Sequence, residues 1–133
     1  MSLEVGMTNR IEKIVTKEQL ASSVGSGALD VFGTPFMILL MEETCFYCVA
    51  DKVEDGTSTV GTRLDVSHDS PTPLGSKVYC DCTLTEIDGR KLIFSVEAFD
   101  EHGSIGKGIH ERFIVNDEKF LKKVREKSND KTS

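Results

Sequence analysis

The sequence predicts an α+β fold in which one long apolar helix lies against an antiparallel sheet. Three observations carry this. The stretch "TPFMILLMEE", residues 34–43, opens a helix that is apolar on every side from Phe36 to Met41, the pattern of an element enclosed by protein. From Thr57 to Val115 the chain alternates with period two, as half-buried strands do. "NDEKFLKKVREK" then reads as a basic amphipathic helix capped by Asn116 or Asp117. A sheet with a helix on one face is a two-layer arrangement. Because one curled sheet leaves part of such a helix bare, a second copy is expected to cover the rest, giving a homodimer.

Taken in order, "TKEQL" places a hydroxyl ahead of Glu18 and Gln19 and predicts a short helix after Thr16. "SSVGSGALD" is a glycine- and serine-rich loop, mobile by composition. The central helix runs from Thr34 to about Lys52, with Thr34 as N-cap, Pro35 in the first helical position and "EDG" ending it. Val60, Thr62, Leu64, Val66 and His68 share one face of the first strand, and Val78, Cys80, Cys82 and Leu84 one face of the second. "DGR" at 88–90 predicts a type I′ hairpin. Leu92, Phe94, Val96 and Ala98 face inward on the third strand, and "DEHGSIG" turns into a last strand through residues 109–115.

A chain of 133 residues suits one domain, 1–133, with flexible N-terminal residues and a C-terminal tail. A net charge of −6 argues against a protein that coats nucleic-acid phosphates. No apolar run approaches the roughly 20 residues of a membrane span and the N-terminus is polar. The expectation is a cytoplasmic protein with no membrane partner. Cys45 and Cys48 have zinc-like spacing, but Cys80 and Cys82 fall within an alternating strand, where thiols pack as readily as they ligate. The reading taken is four buried thiols and no metal.

Carboxylates inside an enclosed helix need a partner or a task, so Glu42 and Glu43 demand explanation. His68 ends an inward-facing register just before the loop "DSPTPLG", enclosed yet reachable. His102 sits in a hairpin turn, and His110, within "GIHERF", reads as an ordinary strand residue. "GSG" and "GSIGKG" do not lie between a strand and a helix, as a dinucleotide site requires, and read as loop and hairpin glycines. What remains is a hydroxyl (Thr34), a carboxylate (Glu42 or Glu43) and an imidazole (His68). These are the parts of nucleophile or water activation, with helix N–H groups near Thr34 available to a developing oxyanion.

The segments "TPFMILLMEETC", "GTRLDVSHDSPTPLGSKV", "LTEIDGRKLIFSVEAFDE" and "IGKGIHERFIV" resemble the fluoroacetyl-CoA thioesterase family of hotdog-fold proteins. The resemblance runs in order from Thr34 to the terminal helix. It implies a homodimeric hotdog, a long central helix wrapped by an antiparallel sheet, that hydrolyses a short or medium acyl-CoA. Its catalytic set maps onto Thr34, Glu42 and His68, and its substrate-contacting residues onto Gly61 and Arg112; CoA enters as part of the substrate and no cofactor is implied. Glu42 is then expected to be buried beside His68 and to raise its pKa above the ordinary 6.5 or so. One departure stands out. The fluoroacetyl-specific enzyme has phenylalanine side chains just before the central helix that form a lid over the acyl group, and the matching region here is "VGSGALDVF", with Gly25 and Ala28 where aromatics would be expected. Hydrolysis is therefore expected without fluoroacetate detoxification. Two other readings are a hotdog hydratase or dehydratase, and a non-catalytic acyl-CoA-binding dimer, though a binding module needs no general base. The cations Lys119, Lys122, Lys123, Arg125 and Lys127 read as a solvated helix face or as a capture surface for CoA phosphates.

Overall fold

The computed structural model describes residues 2–130. Five strands, β1 (Thr8–Ile14), β2 (Thr57–His68), β3 (Lys77–Asp88), β4 (Lys91–Asp100) and β5 (Gly103–Asn116), form one antiparallel sheet in the order β1-β3-β4-β5-β2. A 3₁₀ turn at Lys17–Gln19 stands where the short helix was expected, and the four-residue α1 (Ala21–Val24) follows it. The central helix is α2 (Thr34–Val49) and the terminal helix is α3 (Asp117–Asp130). No described helix is long and apolar enough to cross a membrane.

The inward faces of β3 and β4 are those the alternation predicts, with Val78, Cys80, Cys82, Leu84, Leu92, Phe94, Val96 and Ala98 all buried. They pack on Met37, Leu40, Met41, Cys45, Cys48 and Val49 of α2. All four thiols are free and buried; desolvation holds those of Cys48 and Cys80 up at about 12, so neither is a thiolate near neutrality.

Strand β1 lacks a clear apolar alternation because its inward register includes a polar residue. Asn9 lies between Met7 and Ile11 and uses its amide to donate to the Thr44 carbonyl of α2 at 3.1 Å. Thr34 proves to be the first helical residue of α2, and Gly33, with extended backbone, is the N-cap. The β3–β4 turn has its positive φ at Gly89 alone (61°), with no non-glycine residue beyond zero, which is the II′ rather than the I′ pattern. On α3, Asn116 Oδ1 accepts from the Lys119 N–H at 3.0 Å, and the helix is exposed from Glu118 to Asn129. The loop before α2 is tied down: Ala21 and Ser22 donate backbone bonds to Val31 and Leu29, and Ser22 Oγ donates to Asp30 at 2.5 Å.

The sheet covers one side of α2, and its other flank is bare as expected, with Leu39 46% and Tyr47 60% exposed. Two expectations about α2 and β2 fail. Glu42 and Glu43 are half-buried rather than enclosed, with side chains 41% and 31% exposed, because apolarity all round does not by itself bring cover all round. In β2, a bulge between Gly61 and Arg63 leaves Thr62 out of the ladder with β5. An extra residue reverses the alternation. Leu64, Val66 and His68 face inward as expected, but before the bulge the inward residues are Thr59 and Gly61, not Val60.

Gly106 and Gly108 lie inside β5, opposite His68 and Val66, rather than in a loop. A Cβ on Gly108 would come within 2.1 Å of the Asp65 carbonyl oxygen and 2.6 Å of Val66 Cα. The obstacle is paired-strand backbone, which cannot swing aside. Gly108→Ala should therefore lower unfolding free energy by roughly 1–3 kcal/mol, as overpacking does, read from the urea midpoint at unchanged m-value. A midpoint equal to wild type would show that β2 and β5 can move apart.

Candidate active site

The N-terminus of α2 and the end of β2 meet. Thr34 Oγ1 lies 2.7 Å from His68 Nδ1. The approach depends on Gly106, directly opposite His68: a Cβ there would lie 2.3 Å from Ser67 O and 2.8 Å from Met37 Sδ. Met37 is one helical turn beyond Thr34, so the missing side chain lets α2 settle against the strand end that carries His68. Past His68 the chain is pinned by the Asp69 N–H, which donates to Ile105 O at 2.6 Å.

A hydroxyl that donates to Nδ1 requires the imidazole proton on Nε2. That nitrogen is buried and finds no hydrogen-bond partner among the described residues. Beside the pair lies a cavity of about 270 Å³ lined by Ala21, Ser26, Val31, Phe32, Thr34 and His68, among others.

Glu42 is elsewhere. It is eight residues beyond Thr34, which sets it about 12 Å further along the helix axis. There its Oε2 lies 3.6 Å from Nη1 of Arg112. Arg112 is paired in register with Gly61, and a Cβ on Gly61 would sit 2.5 Å from that same Glu42 oxygen. Glu42, Gly61 and Arg112 thus form one group, while Thr34 and His68 form another. The expected burial of Glu42 against His68 does not occur within a chain.

Arg112 is 6% exposed. Its Nε donates to Thr59 Oγ1 and its Nη2 to Thr59 O, both at 2.9 Å, and Nη1 contacts His110 Nε2 at 3.0 Å. Phe46 lies beneath the guanidinium, 5.6 Å from ring centroid to Cζ. Neither Thr59 nor His110 was singled out from the sequence. A signal was present: after Gly106 and Gly108, the inward register of β5 continues through His110 and Arg112, two polar residues where core residues are expected.

Residues 15–118 match the model of a family described as fluoroacetyl-CoA-specific thioesterase. The chain is 40% identical over 99 residues to the fluoroacetyl-CoA thioesterase of Streptantibioticus cattleyicolor, across 74% of this chain and 71% of that protein. A solved structure of the fluoroacetyl-CoA thioesterase FlK is similar with a TM-score of 0.89 at 32% identity, covering 96% of this chain and 98% of that one. A hot-dog-like protein from Thermanaerovibrio acidaminovorans gives 0.87 at 27% identity, covering 94% and 93%. The sheet curled about α2 is a hotdog, as the sequence resemblance implied.

His68 titrates in the direction opposite to the one expected. Burial lowers its pKa below the ordinary imidazole value by more than Asp69 and the backbone at Ser70 raise it. Within one chain the expected carboxylate, Glu42, is too far away to contribute. A base acts when neutral, so a lowered pKa keeps His68 competent further into acid. With no carboxylate supplied by a second chain, the acid limb of kcat/KM should fall below about 6.5, and a carboxylate brought to His68 by a partner would move it up. Asp69→Asn removes a charge that favours the imidazolium and should move the limb lower still. A limb that moves upward in this variant would contradict the assignment.

Proposed function

From the premise that the chain belongs to the fluoroacetyl-CoA-specific thioesterase family and is a thioester hydrolase, we propose that it hydrolyses a short or medium acyl-CoA with Thr34 and His68 as the reacting pair. The observation that carries this is the 2.7 Å contact between Thr34 Oγ1 and His68 Nδ1. A threonine alcohol is too weakly acidic to attack unaided, and an imidazole in direct contact removes that barrier. Thr34 Oγ attacks the thioester carbonyl carbon as its proton passes to Nδ1. The CoA sulfur then leaves with that proton, and water, activated by the same nitrogen, releases the acid. Thr34 lies at the positive end of the α2 dipole, where a developing oxyanion is favoured. The reaction uses no cofactor beyond the CoA of the substrate. A solved complex of a mutant of the related enzyme FlK holds fluoroacetate and CoA together, consistent with an acyl-CoA substrate here.

We further propose that the site is completed by a second copy of this single hotdog domain. Nothing in one chain brings Glu42 to His68, while the open flank of α2 exposes Leu39 and Tyr47 beside it. Two such flanks packed about a two-fold axis cover each other and carry Glu42 of each toward Thr34 and His68 of the other.

Thiol release from an acyl-CoA panel tests the chemistry. His68→Ala should lose roughly two or more orders of magnitude in kcat, and Thr34→Ala should lose the acyl-enzyme detected by mass spectrometry. Stoichiometric binding without release would favour a binding module. Subunit exchange tests the sharing. Because Thr34 and His68 belong to one chain, mixing Thr34→Ala with His68→Ala should leave every site dead. Mixing Thr34→Ala with Glu42→Gln should rebuild one intact site per dimer and restore activity. A dead second mixture, or a strictly monomeric protein, would refute the shared site.

A further inference from the structure

His110 is 2% exposed and lies inside the sheet at the bulge of β2. Its two nitrogens have different neighbours that demand the same proton placement. The Arg63 oxygen, 2.8 Å from Nδ1, is a carbonyl and can only accept, so Nδ1 carries the hydrogen. The guanidinium, 3.0 Å from Nε2, can only donate, so Nε2 must offer its lone pair. A neutral ring with its proton on Nδ1 satisfies both. Protonation would remove the acceptor and set two cations face to face in a dry interior. Burial and the Arg112 charge accordingly hold the ring neutral, against the pull of the Arg63 carbonyl, Glu42 and Glu111.

We propose that His110 is a positioning residue: it fixes the guanidinium of Arg112, which in turn holds the Glu42 carboxylate in the orientation used by the active site. This rests on the role proposed for Glu42. Thr59 alone contacts Nε and Nη2, on one side of the guanidinium. His110 supplies the contact at Nη1, the nitrogen that faces Glu42. Without that bond the plane can pivot about Thr59, and Nη1 loses its aim. The bulge belongs to the same device. By leaving Thr62 out of the ladder it brings Arg63 O to His110, while Gly61 leaves room for Glu42, whose Oε2 would lie 2.5 Å from any Cβ there.

Two substitutions divide the bonds of His110. In His110→Gln the amide oxygen falls where Nε2 was and can accept from Arg112. In His110→Asn the amide nitrogen falls where Nδ1 was and can donate to Arg63, but nothing accepts from Arg112. His110→Asn should lower kcat roughly ten- to a hundred-fold with little change in KM, the scale seen when an outer partner of a reacting group is lost. His110→Gln should recover at least about five-fold of that loss, the worth of one hydrogen bond. A structural role alone would cost thermal stability in both and leave kcat per folded protein unchanged. Equal losses in both variants, or a wild-type kcat in His110→Asn, would overturn the proposal. Nitrogen-15 spectra decide independently of turnover: His110 should show the Nδ1–H tautomer, and Arg112 Nε–H should resist exchange in wild type and His110→Gln but not in His110→Asn. The Nε2–H tautomer would also overturn it. If the wild type cleaves no acyl-CoA, the thioesterase reading falls, and these spectra still settle whether His110 holds Arg112.

Discussion

The missing side chains of Gly106 and Gly108 set the distance between β5, β2 and α2, and the rest of the site depends on that distance. Gly108 brings the Asp65 and Val66 backbone close, and Gly106 admits both Ser67 O and the sulfur of Met37. The consequence is chemical as well as steric. Thr34 rides on α2 and His68 on the end of β2, so the two elements must approach within hydrogen-bond reach before either residue has a use. Close packing of this kind is unforgiving, because an added methyl has nowhere to go when its neighbour is backbone.

The same ladder carries a second group under different physics. Arg112 is a charge in a dry interior, a costly placement unless its donors are met. They are met by neutral oxygens of Thr59 and by the lone pair of His110, and the carboxylate paired with it among the described residues is Glu42 on the exposed side. The arrangement keeps the positive charge unneutralised by any buried carboxylate and directs it outward. Glu42, though 41% exposed, is thereby steadied by a group that cannot itself move into solvent.

What could be read from the chain follows from periodicity. The helix from Thr34, the inward faces of β3 and β4, and the lining up of Thr34 with His68 all rest on regular repeats or on matched motifs. The failures occur where a single residue breaks the repeat. Asn9 concealed β1 because a polar residue held an inward position to serve the Thr44 carbonyl. Thr62 reversed the register of β2, so Val60 was placed on the wrong face and Thr59 overlooked. His110 read as an ordinary strand residue because its meaning lies in Arg63 O, 47 residues away along the chain. The exposure of Glu42 was missed for another reason. Hydrophobicity tells how much cover α2 requires, not whether its own sheet or another molecule provides it.

Selectivity separates from catalysis along the same lines. The proposed reacting pair is built from α2 and β2, elements locked by the sheet and its glycines. The cavity beside the pair borrows its remaining wall from the segment around Ala21, Ser26, Val31 and Phe32, in which Phe32 is anchored in the core while Ser22 is held by a local backbone bond to Leu29. Residues 22–30 are exposed throughout, Leu29 by 70%, and contain no aromatic side chain to close over a bound acyl group. Changes in that segment alter the size and polarity of the wall without touching the contact between Thr34 and His68. A thioesterase built this way can keep its chemistry while its acyl preference changes, because the exposed residues 22–30 lie outside the core that sets the contact between Thr34 and His68.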